Sequence, residues 1–253
     1  MARRPSEAPR QLLLLKLLPN LVSILALCAG LTAIRFAIAG NFAMAVLLIG
    51  TAAALDGLDG RLARMLKSES AIGAELDSLC DFVNFGVTPG LVLYLFALRP
   101  ETSFGWIAVL VYAVCCMLRL ARFNVGNRAV GEVAEKTAFI GVPSPAGAML
   151  ALAPIYLAFA LADGFGTAVT LPPVLVALWM VGIGALMISR VRTPSLKRIT
   201  IAADYARYAL VGSVMVVAAL LTYPWVTLLT LSLGYLAAIL WLFLRAMRPG
   251  APV

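Results

Sequence analysis

A chain of 253 residues could supply one or two soluble domains, but it is 62% hydrophobic and only 13% charged, a composition that excludes an ordinary soluble fold and points to a membrane protein. Its net charge of +8 comes from Lys and Arg that fall between apolar runs, so they read as topology signals and not as a nucleic-acid surface. The chain has no His, and Cys28, Cys80, Cys115 and Cys116 lack CxxC spacing, which removes the Ser-His-Asp triad, imidazole and zinc sites, and a disulfide framework.

The N-terminal segment 1–16 is basic and expected to be cytoplasmic. No A-x-A-like cleavage site follows the apolar run from Leu17 to Ala39, so the first helix is expected to be retained. A hydrocarbon core about 30 Å thick needs roughly 20 helical residues. On that ruler eight spans are expected, near 18–39, 42–66, 71–98, 105–124, 145–163, 172–190, 207–223 and 225–247. They are joined at turn-prone residues: Gly40-Asn41, Arg99-Pro100, Pro143 with Pro145, Asp163-Gly164 and Tyr223-Pro224. With the N-terminus inside, 18 of the Lys and Arg residues fall on the cytoplasmic side and only Arg35 and Arg99 outside, which supports an even number of spans and both termini cytoplasmic. No internal repeat or low-complexity linker divides the chain. The expected fold is therefore an all-α polytopic bundle, one membrane domain over 17–247.

The second and third spans carry acids that a membrane helix does not carry without a reason: Asp56, Asp59, Asp77 and Asp81. Asp56 and Asp59 are i and i+3, Asp77 and Asp81 are i and i+4, so each pair occupies one face of its helix and both pairs can face one cavity. The apolar run Phe42 to Leu55 is 14 residues, about 21 Å long, and Phe82 to Leu98 is 17 residues, about 25 Å, which sets both pairs near the cytoplasmic boundary. Four uncompensated carboxylates would repel and cost several kcal/mol to desolvate, so they are expected to bind cations or change protonation. Oxygen ligands without His or Cys suit Mg²⁺ or Mn²⁺, as a pair of ions bridging substrate phosphates. A plainer reading has the acids salt-bridging Arg61, Arg64 and Lys67, though so few cations do not require four acids.

Asp56, Asp59, Gly60, Ala63, Arg64, Gly73, Asp77 and Asp81 fill every fixed position of D-x-x-D-G-x-x-A-R-x8-G-x3-D-x3-D. In this the chain resembles the CDP-alcohol phosphotransferase family. The resemblance implies that Asp56, Asp59 and Asp77 hold divalent metals and that Asp81 both touches metal and acts as general base. It further implies that Gly60 lets the nucleotide approach the backbone, that Arg64 pairs with a CDP phosphate, and that Ser70 and Pro19-Asn20 are nucleotide contacts. For Ser70 the alternative is a plain loop hydroxyl, and for Pro19-Asn20 a helix start. The family also implies a homodimer formed through membrane helices.

Three stretches resemble the phosphatidylserine synthase branch of that family: Leu18-Pro19-Asn20, Asp81 to Pro89, and Leu118-Arg119-Leu120-Ala121-Arg122-Phe123-Asn124 with Phe139 to Pro145. The implied substrates are CDP-diacylglycerol and L-serine. Arg119 and Arg122, i and i+3 at a helix end, could form a fork for the serine carboxylate, with Asn124 orienting it; alternatively both arginines anchor the helix at the headgroup level. Lys136 to Pro145 is either a cap over the serine site or a connector, and Arg190, Arg192, Lys197 and Arg198 form a basic loop suited to anionic membrane lipids. Glycerol 3-phosphate, inositol and choline remain rival acceptors. A cation transporter is the rival from another class, but its acids would all lie at one boundary, leaving no path across the bilayer.

Overall fold

In a computed structural model, residues 8–66, 68, 70–99, 102–129, 141–166, 169–189 and 206–246 are described, and among them all regular structure is helical. Five helices are long and apolar enough to cross a membrane, and a bent helix pair makes a sixth candidate. This is a multi-pass membrane protein. The two remaining expected spans are also helical and apolar, but shorter, at Pro173–Ile188 and Leu210–Thr222.

Helix α1 (Ala8–Ile38) begins earlier than expected and carries Pro19 inside it. It turns back at Gly40, whose φ of 78° is the left-handed region that glycine enters without strain. Asn41 then caps α2 (Phe42–Met65), its side chain accepting from the Met44 N–H at 3.0 Å. The α1–α2 pairing is the most extensive in the fold. Its buried residues are mostly small, including Ala33, Ala37, Ala45 and Ala52, which lets the two backbones come close.

The third span is one path with two changes of pitch. It runs as α3 (Ala71–Asp81), a π-helical turn over Phe82–Val87, α4 (Thr88–Leu93) and a second π-turn over Tyr94–Leu98. A π-turn pulls carbonyls out of the regular ladder. The Phe85 carbonyl is taken up by the buried Tyr112 hydroxyl at 2.8 Å, from α5 (Thr102–Ala129).

The fifth expected span is α6 (Ser144–Ala151) and α7 (Ala153–Phe165), bent by 40° at Leu152. Pro154 has no N–H to offer the Leu150 carbonyl four residues before it. The Trp179 indole N–H supplies that bond at 2.9 Å from α8 (Pro173–Ile188), which also packs along α5. Helices α9 (Ala206–Thr222) and α10 (Pro224–Ala246) close the chain; α10 packs on α7, with Trp225 against Phe159 at 4.6 Å between ring centroids. The buried core lies among α1, α2, α4, α5, α6, α7 and α8, while α9 is exposed along nearly its whole length.

Candidate active site

The C-terminal half of α2 and the first turns of α3 bring the acids together. Carboxylate oxygens of Asp56, Asp59 and Asp77 all lie within 4.8 Å of one another. Among the described residues, the strongest charges acting on Asp77 are those of Asp56 and Asp59. That weighs against a purely salt-bridged cluster. Asp81 stands outside this group of three, but among its charged neighbours Asp56 acts on it most strongly. The helical spacing thus does converge on one site, with Asp81 at its edge.

Three converging hard oxygen donors, with no sulfur or imidazole among them, fit a divalent cation of the Mg²⁺ or Mn²⁺ type. Asp59 is only 4% exposed and is held from α1: the Ser23 hydroxyl donates to its Oδ2 at 2.6 Å.

Beside the acids is a cavity of about 330 Å³ lined by residues from the interior of α1, the C-terminal end of α2 and the start of α3. Pro19, Asn20, Gly60, Arg64 and Ser70, the five residues expected to contact nucleotide, all line it, together with Asp59 and Asp77. Ser70 is also the N-cap of α3, its hydroxyl accepting from the Gly73 N–H at 3.0 Å. Gly73 matters for space: a Cβ there would stand 3.0 Å from both Asn20 Oδ1 and Ser70 Oγ. Three wall residues escaped the sequence reading: Ser23, Ser68, whose buried Oγ has no partner among the described residues, and Ala74. The one signal for Ser23 is a hydroxyl within an apolar helix, four residues after Pro19.

The three residues expected around serine are not joined in one fork. Arg119 hydrogen-bonds through Nη1 to the buried Ser144 hydroxyl at the start of α6, and lies within electrostatic reach of Asp81 and Asp56. Arg122, exposed on the next turn, donates instead to the Ile188 carbonyl at the end of α8, at 3.0 Å. Asn124 reaches back to α3, its Nδ2 donating to Ser78 Oγ at 2.9 Å. The i, i+3 spacing does align the two guanidinium groups along α5, but α6 and α8 approach it at different heights and take one each. Of the expected cap Lys136 to Pro145, residues 136–140 lie outside the described residues, as do Arg190, Arg192, Lys197 and Arg198.

A family model described as CDP-alcohol phosphatidyltransferase matches residues 16–191, and a second, CDP-alcohol phosphatidyltransferase 2, matches 205–239. The chain is similar to a CDP-diacylglycerol–serine O-phosphatidyltransferase of Mycobacterium bovis, 38% identical over 226 residues, covering 89% of this chain and 77% of the relative. Proteins of the same name from Mycobacterium leprae and Bacillus subtilis are 38% and 35% identical; the matches cover 94% and 72% of this chain, and 78% and 92% of those relatives. With the first model spanning the acid cluster, the whole cavity wall and the Arg119 contact, the chain belongs to the CDP-alcohol phosphatidyltransferase family.

Proposed function

We propose that this chain transfers the phosphatidyl group of CDP-diacylglycerol to the hydroxyl of L-serine, giving phosphatidylserine and CMP. The observation that carries the reading is that two of the three converging carboxylates, Asp59 and Asp77, line the same cavity as Pro19, Asn20, Gly60, Arg64 and Ser70. The choice of serine rests on the names of the relatives.

The CDP headgroup lies in the 330 Å³ cavity with its phosphates toward the aspartates, Arg64 pairing with one of them. Gly60 admits the nucleotide close to the α2 backbone. Two ions, Mg²⁺ or Mn²⁺, held by Asp56, Asp59 and Asp77 with Asp81 alongside, would neutralise the phosphates and stabilise CMP as the leaving group. Arg119, beside Asp81, receives the serine carboxylate and turns the hydroxyl toward Asp81. Arg122, bonded to the Ile188 carbonyl, and Asn124, bonded to Ser78, brace α5 against α8 and α3 and so support the acceptor site from its edge. Asp81 takes the hydroxyl proton as the serine oxygen forms its bond to phosphorus; the bond to CMP breaks, and its electron pair leaves on the CMP phosphate oxygen. No activated Ser or Cys nucleophile was visible in the sequence, so the displacement is direct.

The active site faces the cytoplasm in this reading, within a cytoplasmic membrane. All eight apolar helical segments span it, 1–16 stays cytoplasmic, and both termini are inside. The domain 17–247 works as a homodimer, with the donor's acyl chains remaining among the membrane lipids. CMP release by the purified protein, with CDP-diacylglycerol and Mg²⁺ or Mn²⁺, tests the reading. Serine-dependent release that chelation abolishes is expected. Release only with glycerol 3-phosphate, inositol or choline would keep the aspartate chemistry and overturn the acceptor.

A further inference from the structure

The aspartate cluster is built from α2 and α3, yet its most buried member is gripped by a third helix. Ser23 of α1 is 5% exposed and Asp59 is 4% exposed, so water has little access to either. A serine inside a helix ordinarily bonds back to the carbonyl four residues before it. Here that carbonyl, of Pro19, is 3.2 Å from Ser23 Oγ, whereas Asp59 Oδ2 is 2.6 Å away. A hydroxyl has one proton to donate. At 2.6 Å from a carboxylate the contact has the length of a charge-assisted bond, so the proton belongs to Asp59 and the helical carbonyl is the secondary acceptor.

We propose that Ser23 is a positioning residue for the metal centre: by holding Asp59 Oδ2, it makes Asp59 present a single oxygen to the site. This rests on the reading of the cluster as a divalent-metal site. Asp59 has two oxygens and, on a half-turn of its side chain, could chelate a cation with both or swing away from Asp77. The Ser23 bond restrains both freedoms, because it takes a lone pair of Oδ2 and steadies the carboxylate plane. That favours Oδ1 as the oxygen offered to an ion shared with Asp56 and Asp77, which each bring a carboxylate oxygen within 4.8 Å of one of Asp59's. Hydrogen bonds of this kind to a ligand's far atom orient it before the metal arrives. The geometry also joins the two halves of the site, since Ser23 and Pro19 both line the nucleotide cavity.

The test uses the purified full-length chain in detergent without substrate. Free Mn²⁺ is counted by electron paramagnetic resonance through a titration, and thermal unfolding in chelator is read on the same samples. Ser23→Ala is expected to weaken Mn²⁺ binding on the order of tenfold, while Ser23→Thr, which keeps the hydroxyl, stays near wild type. Ser23→Cys keeps the volume but donates weakly; it is expected to follow alanine and supplies the same test if the alanine protein does not fold. Wild-type Mn²⁺ affinity in the folded Ala or Cys protein, or equal weakening in the Thr protein, overturns the positioning role. Absence of Mn²⁺ binding in the wild-type protein instead overturns the metal reading on which it rests.

Discussion

Asn124 of α5 and Ser78 of α3 hydrogen-bond to each other, Nδ2 donating to Oγ at 2.9 Å, one residue along the chain from Asp77. The bond ties the helix carrying Arg119 to the helix carrying two of the four acids. Asn124→Ala and Ser78→Ala are each expected to lower kcat about tenfold. If they act only through this bond, the double variant loses no more than either single one. A double-mutant cycle on CMP release checks it; additive losses would show that the two residues act separately.

Gly73 of α3 faces Asn20 of α1. An added methyl would press on Asn20 Oδ1 and Ser70 Oγ, both at 3.0 Å, in the wall of the nucleotide cavity. The neighbours must move by a few tenths of an ångström, into space the ligand needs. Gly73→Ala is expected to raise the KM for CDP-diacylglycerol about tenfold, equivalent to about 1.4 kcal/mol, and to leave the serine KM within twofold. Steady-state kinetics with each substrate varied in turn would read both.

What the sequence could disclose follows from the range over which it carries information. Asp56 to Asp81 is a local pattern on two adjacent helices, so spacing and helical period were enough to bring Asp56, Asp59 and Asp77 together, with Asp59 and Asp77 on the cavity wall. Of the five expected nucleotide contacts, Gly60, Arg64 and Ser70 belong to that local stretch, whereas Pro19 and Asn20, on α1, were legible only through the family resemblance. Ser23 grips Asp59 across 36 residues, and no periodicity in α1 encodes which α2 residue its hydroxyl meets. The expected fork of Arg119 and Arg122 failed to account for α6 and α8, whose Ser144 and Ile188 each claim one guanidinium. The apolar runs anticipated where helices lie among the described residues, five or six of them long enough to cross a membrane, but not their pitch. The π-turn after Asp81 depends on Tyr112 arriving from α5 to satisfy the Phe85 carbonyl.

Pro154 and Trp179 form a compensated pair, one withholding a donor from the Leu150 carbonyl and the other providing it. Trp179→Phe removes the donor with little change in shape and leaves the carbonyl without a partner in an apolar setting. A cost of about 1–3 kcal/mol is expected, read as a lower unfolding temperature in detergent. With Pro154→Ala, an N–H is restored four residues after Leu150, and the same tryptophan change is expected to cost less. An equal cost in both backgrounds would mean that tryptophan stabilises by its bulk alone.

Arg119 and Arg122 differ in their neighbours, and so should their variants. Arg119 lies within electrostatic reach of Asp81, whereas Arg122 is exposed and bonded to a helix-end carbonyl. Arg119→Gln is expected to raise the serine KM at least about tenfold, with a much smaller change in the KM for CDP-diacylglycerol. Arg122→Gln is expected to stay within about threefold for both. If Arg122→Gln gave the larger serine effect, the acceptor would bind further toward α8 than Arg119 allows.

Asp81 is the acid whose role separates ligand from base. It lies outside the group of three carboxylates, beside Asp56, and it is the acid that acts most strongly on Arg119. A side chain placed between the acids and the acceptor's counter-charge is suited to take a proton from a bound hydroxyl. Asp81→Asn keeps the shape and removes the base, so turnover is expected to fall by about 10²–10⁴-fold, the usual contribution of general-base catalysis. Mn²⁺-dependent binding of CDP-diacylglycerol by the same variant is expected to stay within a few-fold of wild type. Loss of that binding together with turnover would assign Asp81 to the metal centre as a fourth ligand, leaving the proton to another acceptor.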